Sequence, residues 1–247
     1  MAIIRTENVT KGFGGLIAVN RVSVDIHPEQ LTSIIGPNGA GKSTFFNIIT
    51  GFFKPDEGRI FFRDEDITGL PIHQIVRKGI SRSFQILNIF EESTVWDNVW
   101  VAVQGSLGYG KELLGRVEKL AGVEEETSRI IAEMGLEYEG GSQVKYLSYG
   151  EKRLLEIALA LTTRPKILLL DEPMSGLPAD ERRRISAYIK QIAQAVTVVV
   201  VEHDMDVVMA ISDRILVMYE GRILASGTPA EVRQDVRVQE AYLGAMP

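Results

Sequence analysis

Leu31-Thr32-Ser33-Ile34-Ile35-Gly36-Pro37-Asn38-Gly39-Ala40-Gly41-Lys42-Ser43-Thr44 is the stretch on which the fold turns. A short apolar run, read as a buried strand, ends in glycine and passes into the pattern G-x-x-x-x-G-K-[ST], with a helix expected over Thr44 to Thr50. Such a loop binds phosphate. Its glycines let the backbone wrap an anion, so that several N–H groups and the positive end of the following helix point at it. Gly36, Pro37, Asn38, Gly39, Ala40, Gly41, Lys42, Ser43 and Thr44 are therefore the expected nucleotide-binding residues. Lys42 is placed to reach the β and γ phosphates, and the Ser43 hydroxyl to ligate Mg²⁺.

Downstream, Lys166-Ile167-Leu168-Leu169-Leu170-Asp171-Glu172-Pro173 puts two carboxylates at the end of a second apolar strand. That end is the sheet edge where α/β proteins bind ligands. Beside a P-loop, Asp171 is expected to hold Mg²⁺ through water and Glu172 to act as general base on the attacking water. Helix and strand alternate around this pair: Glu151 to Leu161, Ile167 to Leu170, Glu181 to Gln194, Val196 to Val201, Arg214 to Tyr219 and Arg222 to Ala225. Strands of unbroken Ile, Leu and Val belong to a mainly parallel sheet covered on both faces. Upstream, Ile3 to Val9 and the alternating Arg21 to Ile26, with a strand pair in Gly58 to Thr68, predict an antiparallel β layer. From Glu91 to Tyr146 the spacing is helical, with helices expected over Glu112 to Leu120 and Glu124 to Met134 and glycines, Gly122 among them, breaking the pattern. The expected fold is thus α/β, a P-loop NTPase core over 1–90 and 147–247 with an N-terminal antiparallel layer and an inserted helical subdomain over 91–146.

The 247 residues suit one large domain with a small subdomain. Acidic residues (33) outnumber basic ones (27), giving a net charge of -6, which removes the electrostatic footprint of a duplex-DNA binder. No apolar run approaches the roughly 18 residues that cross a bilayer. Met1 to Thr10 lacks the pattern of a secretory signal. Zero cysteines exclude disulfides, thiolate catalysis and cysteine-ligated zinc, so the cytoplasm is the expected compartment.

Leu147-Ser148-Tyr149-Gly150-Glu151 runs into the helix that follows it, and with it the order Phe13, Gly36 to Thr44, Gln85, Leu147 to Glu151, Leu168 to Glu172, His203 resembles the ATP-binding cassette family over nearly the whole chain. The resemblance implies an ATPase that uses ATP and Mg²⁺. By the same resemblance Phe13 stacks on adenine, Gln85 touches Mg²⁺ or the attacking water, and His203 contacts the γ-phosphate. The implied catalytic set is Glu172, His203, Gln85 and Lys42; the implied metal set is Ser43, Gln85 and Asp171. Two cassettes of this family pack head to tail, so Ser148 and Gly150 would cover the nucleotide of a second cassette, with donors aimed at an anion. Tyr149 replaces the first signature glycine, Glu151 the glutamine, and Pro178 stands where the broad family has aspartate.

Lys78 to Gln85, Leu147 to Leu161, Gly227 to Val232 and Ala241 to Gly244 resemble the ATP-binding subunits of branched-chain amino acid importers in particular. That likeness implies a peripheral protein on the cytoplasmic face of the cell membrane. Its implied partners are an identical or paralogous cassette, integral-membrane permease subunits and a periplasmic or extracellular solute-binding protein, with no nucleic acid. Urea and amide importers and lipopolysaccharide exporters carry similar cassettes. A cytosolic cassette ATPase acting on DNA or ribosomes is the alternative from another class; the short stretch between Lys42 and Ser148, without sustained heptads, and the single cassette argue against it. Ile86 to Trp100 is expected to receive a helix from a membrane subunit, with Trp96 and Trp100 adding contact area or else filling the joint between helical segment and core.

Overall fold

The computed structural model describes residues 1–83, 89–108 and 117–243. Its larger sheet is built from β3 (Leu31–Ile35), β6 (Ile80–Arg82), β7 (Ile167–Asp171), β8 (Thr197–Val201), β9 (Arg214–Tyr219) and β10 (Arg222–Gly227), in the order β10-β9-β3-β8-β7-β6. Only the β9–β10 hairpin is antiparallel; the other pairings are parallel. Every residue of β3, β7 and β8 is buried. Leu168, Leu170, Val198 and Val200 face one side, and Ile167, Leu169, Val199 and Val201 the other. A strand buried on both faces has no polar side, which is why these runs are unbroken.

One face is covered by α3 (Val95–Ser106), α5 (Tyr149–Leu161) and α6 (Ala179–Ile192), whose buried residues join the same cluster as Leu168 and Val200. Phe45, Phe46, Ile48 and Ile49 of α1 (Lys42–Ile49) cover the other. Against them packs a smaller antiparallel sheet, β1 (Ile4–Phe13), β2 (Leu16–Ile26), β4 (Glu57–Phe62) and β5 (Glu65–Asp66), in the order β2-β1-β4-β5. Among the described residues no helix is long and apolar enough to cross a membrane.

The helical stretch departs from expectation. α4 (Val117–Glu133) is one 17-residue helix that runs through Gly122, where a break was expected; residues 112–116 of the expected first helix lie outside those described. Glycine in a helix costs about 1 kcal/mol against alanine. Burial of Val123, Thr127, Ile130 and Ile131 along one face of α4 offsets that cost. α3 starts at a capping box, in which the Thr94 hydroxyl accepts from Asp97 N–H and the Asp97 carboxylate accepts from Thr94 N–H.

α4 is tied to the core through charge. Glu126 accepts from Arg129 at 2.8 and 2.9 Å and from Arg164 Nε at 3.1 Å. Hydrogen bonding from Arg129, against the opposing effect of burial, and with help from Arg164, holds the Glu126 carboxyl down to about 2, from an ordinary 4.5. Its folded value lies below its unfolded one, so the stabilisation is present above pH 4.5 and is lost as pH falls toward 2. Discounted for two largely exposed guanidinium partners, the effect is about 2 kcal/mol. Thermal melts of the parent and Glu126→Gln should therefore converge between pH 4.5 and 2 and differ above it. Parallel curves across that window would remove the assignment.

Candidate nucleotide-binding site

The carboxyl ends of β3, β8 and β7 lie side by side, and each delivers part of the site. After β3 the P-loop passes two points, Gly36 and Gly41, that have no room for a side chain. A Cβ on Gly36 (φ 152°) would come within 2.1 Å of Met218 O, and one on Gly41 (φ 95°) within 2.2 Å of Ala18 O. The β9–β10 turn closes on the loop from outside, Gly221 N–H donating to Ala40 O at 3.1 Å. The helix begins at Lys42, two residues earlier than expected, so the N–H groups of its first turn sit directly beside the loop.

Lys42 is buried, and its Nζ donates to Gly36 O at 2.7 Å and Pro37 O at 3.0 Å. Burial pushes its pKa down, while the Glu172 and Asp171 carboxylates act in the opposite direction. A cleft of about 670 Å³ opens over the loop, lined by Asn38 to Thr44 together with Phe13 and Glu172. That volume lies within the range of small-molecule sites. Phe13 ends β1, is 43% exposed, and meets Phe53 edge-on at 5.2 Å, which fixes its ring at the mouth of the cleft.

Asp171 closes β7 and is 2% exposed. Its Oδ2 accepts from Arg82 Nη2 at 2.7 Å, whereas Oδ1 is buried with no hydrogen-bond partner among the described residues. Arg82 in turn donates to Asn47 Oδ1 and stacks over Phe46 at 5.1 Å. Glu172 follows in the left-handed region (φ 46°), with its N–H on Val201 O at 2.9 Å. A non-glycine residue in that region is strained, as is common at functional sites. Glu172 Oε2 lies 4.0 Å from His203 Nδ1.

His203 itself is held by a residue that sequence reasoning passed over. Glu202 is 1% exposed and accepts from its neighbour's N–H, at His203, and from Met174 N–H at 3.0 Å. It thereby clips the loop after Asp171-Glu172 to the end of β8. Burial pushes its carboxyl pKa up, against those two N–H donors. Nothing in a lone glutamate signals this, and the same holds for Arg82.

Ser148 and Gly150 do not line the P-loop cleft. Ser148 caps α5, accepting from Glu151 N–H at 3.2 Å while Glu151 accepts from Ser148 N–H at 2.7 Å. Gly150 is pressed against α6, where a Cβ would meet the Glu181 carboxyl at 2.7 Å. Gln85 lies outside the described residues, as do Ile86 to Asn88. Phe90 is exposed, but Trp96 and Trp100 pack against the core cluster of α3, α4 and α5, so they fill the joint. A mostly apolar groove of about 310 Å³ is lined by Thr50, Phe52, Ile72, Val76, Ile89 and Leu159, the third and fourth from α2 (Ile72–Lys78).

Residues 19–175 match the ABC transporter family, and residues 222–246 match the branched-chain amino acid ATP-binding cassette transporter family. The chain is 42% identical over 239 residues to the high-affinity branched-chain amino acid transport ATP-binding protein LivG of Escherichia coli, covering 94% of each. An ATP-binding cassette of an ABC transporter solved in its ADP conformation superposes with a TM-score of 0.86 at 34% identity, covering 99% of both chains. A dimeric cassette in a post-hydrolysis state, bound to ADP and Pi, has a TM-score of 0.76 at 26% identity, covering 92% of this chain and 98% of that one. With its P-loop, carboxylate pair and histidine on adjoining strand ends and its signature serine capping a separate helix, the chain belongs to the ATP-binding cassette family of ABC transporters.

Proposed function

We propose that the chain is the ATP-hydrolysing subunit of an importer of branched-chain amino acids, held on the cytoplasmic face of the membrane against permease subunits and served by a solute-binding protein. One observation carries the reading: Glu172 lines the P-loop cleft, next in the chain to Asp171 and 4.0 Å from His203 Nδ1, while Ser148 and Gly150 at the anion-seeking start of α5 are not part of its lining. A cleft without its signature needs a second cassette, as in the dimeric relative. Phe13 stacks on the base, Asn38 to Thr44 wrap the phosphates, and Lys42 leaves the Gly36 and Pro37 carbonyls for the β and γ oxygens. Asp171 Oδ1, buried without a partner among the described residues, and the Ser43 hydroxyl suit a hard divalent cation. Bound there, Mg²⁺ neutralises phosphate charge. Glu172 takes the proton of the attacking water, and His203 steadies the γ-phosphate.

The groove between α2, β6 and α5 is the proposed seat of a permease helix. Phe52 and Ile72 are 58% and 37% exposed, so their replacement leaves the core intact. Phe52→Asp/Ile72→Asp should keep the basal ATPase rate and bind permease subunits about a hundredfold more weakly, which is about 2.8 kcal/mol of lost apolar burial. Co-purification from detergent-solubilised membranes measures this. Undiminished assembly would move the docking site elsewhere; loss of the isolated cassette's ATPase would make these residues structural.

A further inference from the structure

Tyr149 stands at the signature position the wider family gives to glycine, and its side chain is put to use. Tyr149, Arg153 and Glu156 fall at i, i+4 and i+7 of α5, on one face of the helix. Arg153 Nη2 donates to the Tyr149 hydroxyl at 3.2 Å, with the guanidinium 5.4 Å from the ring centroid. Its Nη1 donates to Glu156 Oε2 at 2.8 Å. The Arg153 and Glu156 side chains are only 8% and 6% exposed, whereas Tyr149 is 46% exposed at the helix start. Glu156 reaches the wall of the apolar groove. Arg153 Nε and Glu156 Oε1 are buried without partners among the described residues, and Tyr149 supplies the hydrogen bond that reaches the pair from the signature turn. A desolvated ion pair is sensitive to small displacement, because its attraction must offset the loss of hydration of both charges.

We infer that Tyr149 is a positioning residue: through Arg153 it sets the disposition of Glu156 in the groove wall, so that contact at the signature turn is felt by a membrane helix seated in the groove. This rests on the groove reading above. The line is continuous, and its two ends meet different partners, a second cassette's nucleotide at Tyr149 and a permease at Glu156. Differential contact at both ends is what coupling requires.

The test uses the assembled transporter in proteoliposomes together with the isolated cassette. Tyr149→Phe keeps the ring over Arg153 and removes the hydroxyl; Glu156→Gln removes the charge. Each should lower the kcat of transport-coupled ATPase about threefold to tenfold without moving the KM for ATP. Glu156→Gln should leave the isolated cassette's basal rate unchanged. The double variant should be no slower than the slower single one, since both break the same line. Additive losses, an equal fall in coupled and uncoupled ATPase, or unchanged coupling in Tyr149→Phe would each overturn the inference. Tyr149→Phe is conservative and half-exposed, so the test stands even where Glu156→Gln fails to fold. Failure of the groove itself reads differently: Phe52→Asp/Ile72→Asp would then still assemble, whatever Tyr149→Phe does.

Discussion

Glu172→Gln should bind ATP as the parent does and turn it over about 10² to 10⁴ times more slowly, the contribution of a positioned general base. That is about 3 to 5 kcal/mol of barrier at 1.36 kcal/mol per decade. The substitution suits the site because the backbone, not the carboxylate, holds residue 172 in place. Its N–H is bonded to Val201 O and its φ is 46°. An amide of the same size fills the same space near His203 but cannot take a proton. Slowed hydrolysis should also trap the two-cassette state. Glu172→Gln with ATP and Mg²⁺ should elute as a dimer in gel filtration, and the nucleotide-free protein as a monomer. Parental turnover in Glu172→Gln would remove Glu172 as base. Monomeric elution under both conditions, at high protein concentration, would point to a paralogous cassette as the obligatory partner.

The second large effect is on stability. Arg82→Met should cost about 3 to 5 kcal/mol, because it leaves the buried Asp171 carboxylate without its guanidinium. For a chain of this size that lowers Tm by about 10 °C. Methionine fills much of the volume over Phe46, so the loss is chiefly electrostatic. Adding Asp171→Asn should recover most of the stability, since it removes the orphaned charge, while abolishing ATPase activity through loss of the proposed metal ligand. Such a cycle separates the two roles of Asp171: folding sees its charge, and catalysis sees its free oxygen. An Arg82→Met protein within 1 kcal/mol of the parent would show that Lys42 alone balances the carboxylate.

Much of this molecule is local in origin and was therefore open to a reader of the chain. The P-loop depends on glycines where side chains have no space, on a lysine at its end, and on an apolar strand before it. Ser148 and Glu151 form their capping box within four residues. The alternation of Arg21 to Ile26 and the unbroken Leu168 to Leu170 report one-sided and two-sided burial, and both strands form as their patterns require. Such features need only neighbouring residues. What tertiary structure alone decided lies across long stretches of chain: Arg82 meets Asp171 over a separation of 89 residues and Glu202 meets Met174 over 28. No spacing rule links such pairs, because the fold creates their proximity and burial creates the need for a partner. Gly122 shows the same limit in a helix, where packing of α4 overrode a local preference for a break. The apolar groove, too, gathers Phe52 from the turn after α1, Ile72 from α2 and Leu159 from α5, so its continuity exists only once they are folded together. Local chemistry was written in order along the chain; long-range charge pairing and surface shape were settled by packing, since only packing determines which groups lose their water.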